Sequence, residues 1–294
     1  MSALPILSPT APADADPSRI ISPEAQWRPR LDRLRRVFAE GERWIVCFSG
    51  GVDSAFVLAV AVAERGDDVL ALTAVSHSLP DEEREDCARQ AQALGARHRF
   101  VQSDEMALEG FASNPSNRCY FCKSELYRVA QAAALDSGAS HIADGVNVDD
   151  LGDHRPGLVA ADEASIVHPL VQAGLTKADV RGAARSLGLD VWDKPAFACL
   201  SSRFPYGTRI TPERLDRVGT VEQRLKAEGF RQVRVRYHGD VVRIEVRPVD
   251  LPRLVTEPLR SRIVQVCKDV GFLYVTLDLQ GFRSGSMNEG LQQP

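Results

Sequence analysis

The chain predicts an α/β fold, a parallel sheet with helices on both faces, followed by a small α+β domain. Three observations carry that reading. Strand-like apolar runs alternate with helical segments through about residue 200. A glycine turn, Ser49-Gly50-Gly51-Val52-Asp53-Ser54, joins the first apolar run directly to a helix. After Tyr206 the pattern becomes a helix, an alternating hairpin, a helix and a last strand.

Taken in order, residues 1–24 are rich in Pro, Ala and Asp and read as a disordered tail. Leu31, Leu34, Val37 and Phe38 fall at helical spacing over 31–40. Residues 44–48 are a buried strand and 55–60 open the helix after the glycine turn. A second strand over 69–75 ends at Leu79-Pro80, and a helix over 81–94 stops at Gly95, a residue suited to the left-handed C-cap. A third strand over 97–101, a helix over 122–137 and a fourth strand over 141–143 follow. A helix over 180–187 leads to a short strand at Leu189-Asp190-Val191. In the second unit, Thr211 caps a helix to Glu228. Residues 231–237 alternate strictly, turn at His238-Gly239-Asp240 and return as 241–246. A helix over 259–270 and a strand over 274–279 complete it. The expected organisation is a larger domain over 25–205 and a smaller one over 206–294.

Parallel sheets bind ligands beyond their strand C-termini. That edge collects the glycine turn, Ser76-His77-Ser78, Ser103-Asp104-Glu105 and Asp144-Gly145-Val146-Asn147. In the turn, backbone N–H groups converge and the positive end of the helix dipole points at whatever binds. Gly50 and Gly51 let a ligand approach the backbone, Ser49 and Ser54 add hydroxyls, and Asp53 suits a magnesium ion beside phosphate. No Gly-Lys-Ser/Thr closes the turn, so it is not a Walker A loop. It resembles the pyrophosphate loop (PP-loop) of the ATP pyrophosphatases, which cleave ATP between the α and β phosphates. That resemblance implies an adenine nucleotide α-hydrolase-like first domain with ATP and Mg2+ as ligands. Thr73, Ala74 and Ser76 end the second strand where adenosine would be read, and Gly145 ends the fourth beside the loop.

Six cysteines are present. Cys119 and Cys122 form a CxxC in Asn117-Arg118-Cys119-Tyr120-Phe121-Cys122-Lys123, and Cys199 lies in a segment running from Lys194 to Arg203. Three soft thiolates are one ligand short of a closed zinc or iron–sulfur site. Cys47, Cys87 and Cys267 read as core residues on a strand and two helices. Arg118 and Lys123 stand beside the CxxC as candidate phosphate contacts.

The glycine loop, the cysteine segment 117–123, Asp144 to Asp150, Arg155-Pro156-Gly157 and the segment 194–207 together resemble the LarE family. The resemblance covers about residues 25–290. It implies an enzyme that adenylates the carboxylates of a pyridinium-3,5-biscarboxylic acid mononucleotide and converts them to thiocarboxylates, in the synthesis of a nickel-pincer cofactor. Some members give up a cysteine sulfur; others hold a [4Fe-4S] cluster on three cysteines and pass on sulfide from it. Cys119, Cys122 and Cys199 favour the cluster version, with Cys199 near the reacting phosphate in either. Catalytic roles fall to Cys199 and Asp53. Magnesium ligands are sought in Asp53, Asp149 or Asp150, and Glu222; substrate contacts in Ser202, Arg203, Arg234 and Arg236. Arg283-Ser284-Gly285-Ser286 is a further anion-binding turn by composition. The resemblance also implies a homo-oligomer, trimer-based.

Net charge is −4, which argues against a nucleic acid held by the whole surface. The charge is uneven: from Ser201 onward 16 Lys/Arg face 11 Asp/Glu, +5, leaving −9 for the first 200 residues. A basic unit beside an acidic nucleotide-binding one suits a small phosphorylated substrate. No apolar stretch approaches the ~20 residues of a membrane span, and the N-terminus lacks signal-peptide character. A cytoplasmic chain with reduced cysteines is expected. The rival enzyme is a tRNA thiolase, where pyrophosphate loops and three cysteines also occur together. An amide-forming ligase would leave the cysteines idle, and a non-catalytic nucleotide sensor would bind ATP without turnover.

Overall fold

A computed structural model describes residues 20–152, 156–195 and 198–283. The expected tail to residue 19, Arg155 and the turn from residue 284 lie outside them. The first unit orders its elements as α1 (Glu24–Ala39), β1 (Trp44–Cys47), α2 (Val52–Arg65), β2 (Val69–Val75), α3 (Asp81–Ala93), β3 (Arg97–Gln102), α4 (Glu109–Ala112), α5 (Arg118–Ser137), β4 (His141–Ala143), α6 (Pro156–Glu163), α7 (Pro169–Ala173) and α8 (Lys177–Ser186). Its four strands pair in parallel in the order β3-β2-β1-β4. Strand order therefore reverses at β1, and the glycine loop leaves the sheet at that switch point, where open α/β sheets bind ligands.

β1 is buried along its whole length, and its two faces feed different cores. Trp44 and Val46 pack with Leu31, Leu34 and Phe38 of α1, with α2 and with Val180, Ala183 and Ala184 of α8. Ile45 and Cys47 pack on the opposite face with Tyr127, Ala130 and Ala133 of α5 and Ala160 and Ala161 of α6. Period-two alternation between two apolar layers is why β1 and β2 read as unbroken hydrophobic runs.

The second unit contains α9 (Pro212–Ala227), β5 (Val233–His238), β6 (Val241–Val246), α10 (Leu251–Leu254), α11 (Leu259–Asp269) and β7 (Tyr274–Leu277). β5 and β6 are an antiparallel hairpin with Gly239 at φ +68°, and β7 joins β6 in parallel. Leu215, Val218, Val221 and Leu225 of α9 and Ile263 and Cys267 of α11 bury against Val233, Val235, Val242 and Ile244. Phe111 of α4 belongs to this core too. The chain also returns across α4: Ile210 N–H donates to Ala112 O and Gly207 N–H to Asn114 O, both at 2.8 Å.

Four expectations are corrected. Helix α1 begins at Glu24 rather than near Leu31, with Pro29 inside it. That proline removes one intrahelical bond, outweighed by burial of Trp27, Leu31, Leu34 and Phe38. Ser22 N–H donates to Ala178 O at 3.0 Å, so residues 22–24 of the expected tail are part of the fold. Helix α5 begins at Arg118, four residues early, which places the CxxC inside its first turns. Residues Asp190–Asp193 form a 3-10 turn in place of the expected strand at 189–191. Leu189, Val191 and Trp192 pack on the core around α8, and helical turns satisfy that contact where no strand neighbour is available.

Gly182 in α8 is where α1 and the start of the fold close on the sheet. A Cβ there would lie 2.8 Å from Ser22 O and 2.9 Å from Trp27 Nε1. Gly182→Ala is expected to cost about 1–3 kcal/mol, read as a lower urea midpoint at unchanged slope.

Candidate functional site

The glycine loop is held from both sides. Gly50 has φ +69°, and a Cβ on it would meet Cys87 Sγ at 2.9 Å. Its carbonyl accepts from Gln90 Nε2 at 3.1 Å and from Lys194 Nζ at 3.3 Å. Lys194 also donates to Glu83 and Asp86, each at 2.7 Å. Gly51 is the N-cap of α2, so the N–H groups of the following first turn have no intrahelical acceptor and point at the loop's mouth. Ser54 Oγ lies 3.1 Å from Ser49 Oγ and accepts from Ser49 N–H at 3.2 Å. Val52 is buried beneath the loop. Gly145 presses on this turn: a Cβ there would fall 2.9 Å from Ser54 N.

Asp53 faces the loop and pairs with Lys177 Nζ. Burial pushes the Asp53 carboxyl up, and the Lys177 ammonium pulls it partly back. Asn147 Nδ2 reaches Asp53 Oδ1 at 3.4 Å, while the Lys177 N–H donates to Asp149 Oδ2 at 2.8 Å. Asp150 accepts from Asn147 N–H at 3.0 Å. Asp53 and Asp149 thus meet at one lysine, with Asp150 beside them. Sequence reasoning missed Lys177. Its signal was a cation in the first position of a helix whose capping box, Thr176 and Asp179, is plain. The helix dipole disfavours a cation there unless a carboxylate is close.

Behind β4, Asp144 accepts from Tyr127 Oη at 2.9 Å and lies 2.7 Å from His168 Nδ1. The Asp144 hydrogen bond raises the His168 imidazole above 6.5. Thr73 turns inward, donating to Phe48 O at 2.8 Å, so its expected adenosine contact is corrected. Ala74 and Ser76 remain at the edge, half-buried. Ser76, Ser78 and Ser103 all donate to the buried Glu105, at 2.5, 2.8 and 2.7 Å.

The segments that carry the three cysteines of interest are joined by hydrogen bonds. Arg118 is buried rather than open to phosphate; its Nη1 donates to Asn114 Oδ1 at 2.5 Å and to Ser201 O at 3.0 Å. That joins the residue before Cys119 to the residue two beyond Cys199. Leu200 N–H donates to Ser78 O at 3.2 Å, fixing the Cys199 segment to the end of β2. Close approaches complete the seat: a Cβ on Gly110 would strike the Phe121 ring at 2.4 Å, and one on Gly157 would lie 2.9 Å from Lys123 Cγ. Cys119 is exposed and Cys122 and Cys199 half-buried. Burial raises the Cys122 thiol strongly, with Cys199, Glu105 and Cys119 adding to the rise. Among the described residues, no three His, Cys, Asp or Glu side chains converge on one metal ion.

The basic patch is tighter than the sequence suggests. Arg203 is fully buried, paired with Glu222 through Nε at 2.6 Å and Nη2 at 2.8 Å. Its Nη1 donates to Ser202 Oγ at 2.7 Å. Glu222 also accepts from Val235 N–H at 2.9 Å. Glu222 as a magnesium ligand is therefore corrected, and Arg203 is a support rather than an open phosphate contact. Arg236 is buried in a two-pronged pair with Glu245 at 2.9 and 2.8 Å, and donates to Ser202 O at 2.9 Å. Arg234 lies between them, half-buried over the Phe282 ring. Burial, with Arg203 and Arg236 nearby, lowers its guanidinium to about 10. A cavity of about 590 Å³ opens between the ends of β2 and β3 and α9, lined by Ser76, His77, Gln102, Leu200, Glu222 and Lys226 among others.

The family model described as asparagine synthase matches residues 35–113. An uncharacterized protein of Synechocystis sp. is 48% identical over 262 residues, covering 89% of this chain and 98% of that one. The pyridinium-3,5-bisthiocarboxylic acid mononucleotide synthase of Lactiplantibacillus plantarum is 38% identical over 251 residues, 85% of this chain and 90% of that one. A tRNA-specific 2-thiouridylase of Azorhizobium caulinodans is 32% identical over 191 residues, about half of each chain (52% and 49%). A parallel sheet with this loop at its switch point, bearing that family match, is an ATP pyrophosphatase of the PP-loop type. Within that class, the chain belongs to the LarE family of ATP-dependent sulfur transferases. No described helix is long and apolar enough to cross a membrane.

Gly145→Ala is expected to lower ATP-dependent pyrophosphate release about 100-fold by displacing the start of α2. Because His168 is raised on folding, its contribution to stability is full below its unfolded value of 6.5. It is lost as pH climbs through the folded value. Chemical denaturation across pH 6 to 9 is expected to show that fall, and His168→Gln to flatten it.

Proposed function

We propose that this enzyme adenylates the carboxylates of pyridinium-3,5-biscarboxylic acid mononucleotide and replaces an oxygen of each with sulfur. One observation carries the reading. The segment bearing Cys199 is tied to the nucleotide edge at both ends, by Lys194 to the Gly50 carbonyl and by Leu200 N–H to Ser78 O. Those ties support a reading in which the Cys199 thiol and the glycine loop serve one reaction space.

A carboxylate resists attack by sulfur because it is an anion with no leaving group. Transfer of AMP makes a mixed anhydride from which AMP departs readily. The glycine loop, with the N-terminus of α2, would bind the pyrophosphate released in that step. Ser49 and Ser54 would exchange their mutual hydrogen bond for phosphate oxygens. Ala74 and Ser76 stand where adenosine meets the sheet edge. Asp53 and Asp149 supply hard oxygen donors and would hold Mg2+, which neutralises phosphate charge when bound.

Arg234 is our choice for the substrate phosphate, with Ser202 held beside it by Arg203 and Arg236. A dianion there offsets the cost of crowding three guanidinium groups. Cys119, Cys122 and Cys199 are soft donors, and we take them as three corners of a [4Fe-4S] cluster. When bound, such a cluster would supply a site for exogenous sulfide. The other source of sulfur is the Cys199 thiol itself. Exposed Leu273, Tyr274 and Leu279 at and beside the edge strand β7 support a homo-oligomer, which we take as trimer-based from the family resemblance. The tRNA thiolase reading has weaker support, since that relative matches only about half of each chain.

The test is anaerobic incubation with ATP and the pyridinium mononucleotide, followed by pyrophosphate, AMP and thioacid. All three are expected from the wild type, and Cys199→Ala is expected to release pyrophosphate while losing thioacid. Thioacid at wild-type speed from Cys199→Ala would sink the proposal. Iron at about four per chain identifies the cluster route; loss of hydrogen sulfide mass from the polypeptide identifies the sacrificial one.

A further inference from the structure

We infer that His168 is a positioning residue for the glycine loop, acting through Asp144 on the turn that carries Gly145. The inference rests on the reading of that loop as the pyrophosphate site. Asp144 follows β4 and is buried. Its Oδ1 accepts from Val146 N–H at 3.0 Å, closing a side-chain turn across Gly145. The same oxygen lies 2.7 Å from His168 Nδ1, and Oδ2 accepts from Tyr127 Oη at 2.9 Å. One carboxylate therefore sets the turn, and two side chains set the carboxylate. The turn has no slack toward the loop: a Cβ on Gly145 would fall 2.9 Å from Ser54 N and 3.2 Å from Asp53 Cβ. Two residues past Gly145, buried Asn147 reaches Asp53 Oδ1 at 3.4 Å. A shift of the Asp144 side chain is thus passed to both the start of α2 and Asp53.

The backbone of His168 is fixed beside that carboxylate. Asp144 N–H donates to Val167 O at 3.1 Å and Val167 N–H to Ile142 O at 2.8 Å, and Pro169 then opens α7. The Asp144 hydrogen bond raises the imidazole above 6.5 against its burial, with Asp162 of α6 adding to the rise and Lys123 of α5 opposing it. Burial would raise the Asp144 carboxyl, but the His168 hydrogen bond, with Lys123 nearby, holds it below its usual value. The other neighbours of Asp144, Tyr127 and Cys47, are pushed up by burial, Cys47 to about 12. Between pH 6 and 9 the imidazole changes charge. Losing its proton turns a charge-assisted hydrogen bond into a neutral one of about half the strength. The carboxylate is then held less firmly under the turn.

Inorganic pyrophosphate with Mg2+ is the probe, titrated by calorimetry into the purified enzyme from pH 6 to 9. The temperature is one at which circular dichroism shows each protein folded. His168→Gln keeps a neutral donor and cannot titrate. It is expected to bind about 3- to 10-fold more weakly than wild type at pH 6. The two affinities are expected to converge as pH climbs through the raised value of the imidazole. Taking their ratio at each pH cancels the titration of pyrophosphate itself. Tyr127→Phe removes the other tie on the same carboxylate and leaves the imidazole, so it is expected to weaken binding across the whole range. A ratio of wild type to His168→Gln that stays constant with pH overturns the inference, because a merely structural imidazole moves stability and leaves that ratio flat. Tyr127→Phe that binds as tightly as wild type overturns it too, with the loop's role intact. Wild-type protein that binds no pyrophosphate at any pH overturns both.

Discussion

The site depends on one close approach of backbone to backbone. The turn after β4 passes Gly145 so near the start of α2 that a single carbon added there would meet Ser54 N at 2.9 Å. That contact brings Asp149, Asp150 and Asn147 to the rim of the glycine loop, and their hydrogen bonds draw Lys177 and Asp53 together. Gly50 makes the complementary approach on the other flank, against Cys87. β1 delivers the loop from the middle of the sheet, buried on both faces, so neither flank can move without disturbing a core.

A second constraint links that site to the rest of the chain. Between Lys194 and Ile210 the described residues contact, in turn, the glycine loop through the Lys194 side chain, then the end of β2, the start of α5 and the short helix α4. Cys199 and the arginine patch both lie on or against this stretch. Its geometry is held by buried ion pairs, Arg203 with Glu222 and Arg236 with Glu245. Such pairs add little net stability over a hydrophobic replacement, yet removing one partner leaves a buried charge and costs about 3–5 kcal/mol. They hold the segment in one register. The carboxylates needed to balance that many guanidinium groups are then spoken for, which is why Glu222 serves Arg203 and Val235 rather than a metal.

The parts legible in the sequence are those with a short-range signature. The glycine loop, the alternation of β5 and β6, the Thr211 cap and the CxxC each declare themselves within a few residues. Errors arose where a local signal was overruled from a distance. Apolar spacing marks the first helix only from Leu31, but burial of Trp27 against the core carries α1 back to Glu24 across Pro29. Leu189 and Val191 read as a strand, but the core around α8 takes them in a tighter turn. Arg118 and Arg203 carry charge, which composition assigns to the surface; only long-range carbonyl and carboxylate partners reveal that they are buried. Lys177 was missed for the same reason, since Asp53 is 124 residues away in sequence.

Nucleotide activation and sulfur transfer ask for opposite electrostatics, and the sites we propose for them are separated by one segment. At the loop, the N-terminus of α2 favours an incoming polyanion. Among the thiols, burial, with Cys199 and the carboxylate of Glu105 nearby, pushes Cys122 up. A buried neutral thiol is a poor nucleophile and a poor disulfide former. A cation or metal beside Cys122 would favour its thiolate, as the Lys177 ammonium favours the Asp53 carboxylate at the loop. Glu105 is itself fixed by Ser76 and Ser78, so a carboxylate that disfavours the free thiolate is anchored to the end of β2, where we propose that adenosine is read. Reactivity of Cys122 is in this way tied to the charges placed around it rather than left on at all times.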